Sequence, residues 1–138
     1  MALKLIQQDA ETLRNAFAER KAEYEALRTA ERWSGAVLYA GTLLELALKL
    51  VMSKHLEVSN LPAIFQVHDL ELLLCCSGLY SRLPIEEAVN KNFLLIHKRW
   101  SMALRYEGAV HTQRDAEAFN QALFDSTEGV ITFLAQYF

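Results

Sequence analysis

Hydrophobic positions recur along most of this chain at steps of three, four and seven, the period of an α-helix and not of a strand. In the first such stretch, about 8–28, Leu13, Phe17, Tyr24 and Leu27 form one apolar stripe above a charged opposite face. A second helix is predicted from Thr29, a suitable N-cap, to about Lys54. Its apolar residues, among them Trp33, Val37, Leu38, Leu44, Leu46, Leu48 and Val51, point to several sides. A helix apolar all round must be covered all round, either as the centre of a bundle or as half of a dimer interface. HLEVSNLPAIFQV (55–67), with Pro62 and a Ser-Asn pair, reads as a loop. The third helix is expected over 68–80, with Asp69 at the positive end of its dipole and Gly78 marking its end.

Pro84 suits the first turn of a fourth helix, where Glu86 and Glu87 are also favourable. That helix is expected to continue to about Tyr106, with Gly108 stopping it. Thr112, with Asp115 three positions later, resembles a capping box with a shortened acid. It opens a fifth helix whose stripe is Phe119, Leu123, Val130, Phe133 and Leu134. The pattern therefore predicts an all-α fold, an up-and-down bundle of four to five helices, as one domain over 1–138.

Composition agrees with this expectation and narrows the partners. With 52% hydrophobic residues, five Gly and two Pro, the chain is neither disordered nor loop-rich. A net charge of −3 argues against nonspecific coating of nucleic acid, while leaving room for a local basic site. The N-terminal segment is amphipathic and does not read as a secretory signal. GAVLYAGTLLELALKLVM (35–52) approaches membrane-spanning length, yet holds Glu45 and Lys49. We read it as a buried helix with an internal i,i+4 ion pair, not as a membrane span. Cys75 and Cys76 are adjacent, which disfavours a disulfide, so core thiols in a reducing cytoplasm are expected.

Candidate chemistry gathers between Ala88 and Arg114, where five Lys or Arg stand against one acid, Glu107. Beyond Arg114 there are four acids and no base. Lys91, Lys98 and Arg105 are spaced by seven, and each step rotates the position by only about 20° on an α-helix. They should make one basic stripe, flanked by His97 and Arg99 and accompanied by Phe93, Trp100 and Tyr106. Basic charge beside aromatic rings suits a ligand with phosphates and stacking bases. A solvated helix face with its rings turned into the core has the same signature.

Arg105 and His111 form the sharper pair. Metal-free RNA cleavage needs a base for the ribose 2′ proton and a cation for the developing phosphorane charge, roles that suit His and Arg. An Arg on the fourth helix's terminal carbonyls and a surface His would leave the same trace. No Gly-rich phosphate loop, Ser-His-Asp arrangement or zinc-ligand spacing is present, so no metal and no cofactor is expected. No motif specific for DNA is present either. His55 and His68 could approach each other across their loop, although His68 better suits the start of the third helix.

Several stretches, in their order and spacing, resemble the HEPN superfamily of small helical domains. They are YAGTLLELALKLVM (39–52), VHDLELLL (67–74) and RWSMALRYEGAVHTQRDAEAF (99–119), and the resemblance spans roughly 33–134. It implies a helical bundle, usually a homodimer, in prokaryotic cytoplasm. In catalytic members an Arg, four to six residues and a His form a metal-independent endoribonuclease site across the dimer cleft, a spacing that Arg105 and His111 match. Some members are toxins of toxin–antitoxin systems, partnered by a minimal nucleotidyltransferase antitoxin. Others are held to bind nucleotides without cutting RNA. On this likeness Arg105 would stabilise phosphate charge, His111 would exchange the proton, and Lys91, Lys98, Arg99 and Tyr106 would hold the ligand. The chain departs from the catalytic pattern in having Tyr106 where a polar residue usually follows the Arg. It also has Gln113 where the nucleotidyltransferase-regulated toxins place a Tyr. The noncatalytic alternatives are a nucleotide-binding or nucleotidyltransferase-partner module and a purely structural dimerisation domain.

Overall fold

The computed structural model describes residues 8–138, and among them every regular element is helical. The six α-helices are α1 (Ala10–Thr29), α2 (Trp33–His55), α3 (Leu70–Cys76), α4 (Glu87–Arg99), α5 (Gln113–Phe124) and α6 (Val130–Ala135). Short 3-10 turns at Ala63–Phe65, Leu83–Ile85 and Met102–Tyr106 join them.

The all-round apolar helix is the centre of the fold. α2 packs against α1, α3, α5 and α6, and from Ala36 to Ser53 most of its side chains are buried. It is long and apolar enough to cross a membrane by composition, but 72% of its most apolar window is covered by its own protein. The expected ion pair is there: Lys49 Nζ lies 3.0 Å from Glu45 Oε1, with both side chains almost wholly buried. A third group joins them, because His68 Nδ1 lies 2.7 Å from the same carboxylate oxygen. Burying two charges is costly, and mutual pairing with a further hydrogen bond offsets that cost. His68 thus belongs to α2's buried carboxylate. The start of α3 falls to Asp69, whose carboxylate accepts the Glu71 and Leu72 N–H groups.

The α1 stripe packs as expected, with Leu13 and Tyr24 buried. Tyr24 donates its hydroxyl to Asn120 Oδ1 at 2.9 Å, tying α1 to α5, and burial pushes its pKa up to about 12. Thr29 does not cap α2. It ends α1, donating its hydroxyl to the Glu25 carbonyl, and α2 begins after Arg32 without a side-chain cap. α3 is shorter than expected, and Gly78 turns the chain just after it at φ +83°. Pro84 lies in the 3-10 turn before α4, not in its first turn. The fifth helix is divided into α5 and α6 at Asp125, whose carboxylate accepts the N–H groups of Thr127 and Glu128. Cys75 is exposed and Cys76 partly so, which corrects the expectation of two core thiols.

The most consequential departure is the end of α4 at Arg99, not near Tyr106. Trp100 is extended (φ −115°, ψ 139°), and its indole turns inward to donate Nε1–H to the Leu38 carbonyl at 3.0 Å. It rests on Gly41, where a Cβ would come 2.0 Å from the ring. A buried Trp needs a partner for its N–H, and α2 offers one only if α4 stops first.

Candidate functional site

The connection from Trp100 to Thr112 carries the candidate residues, and its two ends are firmly held. At its start Trp100 is anchored on α2. At its end the His111 N–H donates to Ser34 Oγ at 2.9 Å, fastening the segment to the first turn of α2. Thr112 then opens α5 with the predicted capping box. The Asp115 N–H donates to Thr112 Oγ1 at 3.3 Å, and the Thr112 N–H donates to Asp115 Oδ2 at 2.9 Å.

Asp115 does more than cap. Arg99 Nη2 donates to its Oδ1 at 2.7 Å, and His111 Nδ1 stands 3.5 Å from its Oδ2. The Thr112 backbone N–H, with Arg99 next, holds the Asp115 carboxyl at a pKa of about 2, so it is ionised at any physiological pH. The result is a line of Arg99, Asp115 and His111, in which a fixed carboxylate backs an imidazole. His111 itself is largely covered, at 16% side-chain exposure, and its Nε2 is buried without a hydrogen-bond partner.

Arg105 belongs to a different environment. It lies in the Met102–Tyr106 turn, exposed, with its guanidinium 4.8 Å from the centroid of the Tyr106 ring. Among the described residues it forms no hydrogen bond or ion pair with a carboxylate, nor any with His111. Tyr106 is 79% exposed, so the pair forms a cation resting on an open aromatic surface.

The basic stripe is therefore not continuous. Lys91 and Lys98 are exposed on α4, but the break at Trp100 takes Arg105 off that helix. Arg99 is engaged by Asp115, with its guanidinium 5.6 Å from the Phe119 ring centroid, and so is not a free phosphate contact. Of the rings in the stretch, Phe93 and Trp100 are core and only Tyr106 is presented outward. The sequence marked Asp115 only as a cap, and nothing in it pointed to Ser34 or to the Arg99–Asp115 pair, which spans sixteen positions. Among the described residues, no group of three His, Cys, Asp or Glu is placed to hold a metal ion. No protein-family model matches this chain, and neither does any characterised protein or solved structure.

Proposed function

We propose that this chain is a HEPN-type helical bundle directed at RNA or nucleotides, which it contacts through the Trp100–Thr112 connection. The observation that carries this is the Arg105–Tyr106 pair: an always-charged fork with no carboxylate partner among the described residues, on a ring that is 79% exposed. Arg105 would take a phosphate oxygen and Tyr106 would stack on a base, while Lys98 and Lys91 draw the backbone in from α4. Arg99 acts indirectly, by holding Asp115 in place. A homodimer in the cytoplasm, and a minimal nucleotidyltransferase as partner, belong to this reading as the resemblance implies them.

A second reading, endoribonuclease activity of the toxin kind, draws on a separate observation: Asp115 backs His111 as a carboxylate backs a general base. Against it stands the buried Nε2, which must be uncovered before it meets a ribose hydroxyl. Incubating the protein with mixed RNA in EDTA separates the two. Cutting by wild type that His111→Ala abolishes supports the enzyme. RNA binding that Arg105→Ala weakens at least tenfold, without cutting, supports the binding module. RNA neither bound nor cut, with no ATP binding that Arg105→Ala weakens, removes both.

A further inference from the structure

A second cationic site lies elsewhere on the molecule, beside the end of α2. There Lys54, His55 and Arg82 line a cavity of about 420 Å³, floored by Gly78 and walled by Tyr137. Its volume falls within the range of small-ligand sites, roughly 300–1,000 Å³. Among the described residues, no carboxylate side chain lines it. Among the described residues none of the three basic side chains forms an ion pair, in a protein whose net charge is −3.

The floor is shaped by the backbone. Gly78 has φ +83°, and a Cβ there would come 2.6 Å from the His55 ring, so the imidazole sits directly on the turn. Arg82 is held with its guanidinium 6.0 Å from the Tyr137 ring centroid, a contact that leaves its N–H donors free. A helix C-terminus ordinarily repels anions, but here three of the last four carbonyls of α2 are occupied. Met52, Ser53 and Lys54 accept the N–H groups of Leu56, Val58 and Glu57. Lys54 and Arg82 stand against what remains of the negative helix end.

We propose that this cavity binds a diphosphate group. An Arg fork, a Lys point charge and an imidazole, all unpaired in one concavity, match a compact anion of several negative charges. An adjoining cavity of about 470 Å³ shares Arg82 and Tyr137, and offers Thr127, Thr132 and Gln136 as hydrogen-bonding groups. Among the described residues Glu86, on its wall, makes no ion pair with Arg82, and it would disfavour a second phosphate on that side. That second space suits an uncharged organic portion of the ligand.

The site is independent of the Arg105 surface, and calorimetric titration of the full chain with inorganic pyrophosphate tests it. Saturable binding is expected to weaken about tenfold or more in Lys54→Gln and in Arg82→Gln, as loss of a charged hydrogen bond does, and to be unchanged in Arg105→Ala. Lys54 is exposed and unpaired, so its variant keeps the fold, which a matching thermal melt checks. A parallel titration of Arg105→Ala with ADP, in which the Arg105 surface no longer contributes, separates a free diphosphate, bound equally well, from a nucleoside diphosphate, bound more tightly through the adjoining cavity. Absence of binding by wild type, wild-type affinity in both cavity variants, or loss of binding in Arg105→Ala would overturn the proposal.

Discussion

Trp100 lies flat against the bare backbone of Gly41, and its indole N–H is tied to the Leu38 carbonyl one turn earlier. This contact ends α4, swings the following residues out of helical register, and places Arg105 on an exposed turn. A methyl group at position 41 would overlap the ring at 2.0 Å, and both partners are buried too deeply to step aside. Gly41→Ala is therefore expected to destabilise the fold by about 1–3 kcal/mol, the usual range for overpacking a core. A denaturant melt checks it. Stability equal to wild type would show that the indole is not seated on α2.

The Glu45–Lys49 pair offers a second test. Lys49→Met leaves a buried carboxylate with only His68 beside it and should cost about 3–5 kcal/mol. Adding Glu45→Gln should recover most of the loss, because no uncompensated charge then remains inside. Equilibrium unfolding of both variants measures this. Additive losses would mean that the two side chains are not coupled.

Asp115 predicts an acid-dependent term. Its folded-state pKa of about 2 lies below the ordinary value of 3.8, so its contribution is full above about pH 4 and is lost as pH falls toward 2. Allowing for its partial exposure, Asp115→Asn should cost about 1 kcal/mol at pH 7. The gap between wild type and variant should close on acidification, as paired urea melts at pH 7 and pH 2.5 would reveal. A difference that stays constant with pH would contradict the assignment.

These contacts also show what the sequence could and could not reveal. Helical periodicity found the buried α2, and the i,i+4 spacing of Glu45 and Lys49 found their pair, because both are local properties of one helix. The Thr112–Asp115 cap was legible for the same reason. The break at Trp100 was not, since its cause is a carbonyl sixty-two positions away on another helix. Periodicity alone carried Lys91, Lys98 and Arg105 on as one stripe, and tertiary packing separates them. Asp125 likewise ends α5 by a local turn that the apolar stripe ran straight through. Arg99 could be recognised as basic, but not as Asp115's partner.

The proposal that RNA or nucleotides meet this protein at the Arg105–Tyr106 turn is tested most directly by amide chemical shifts. A short single-stranded RNA would be titrated into isotope-labelled protein, a 15.7 kDa chain well suited to the measurement. The expected result is a set of perturbed amides centred on 101–114 and extending to Lys98, which Arg105→Ala abolishes while leaving the rest of the spectrum intact. Perturbations confined to another face, or the same perturbations surviving in Arg105→Ala, would contradict it.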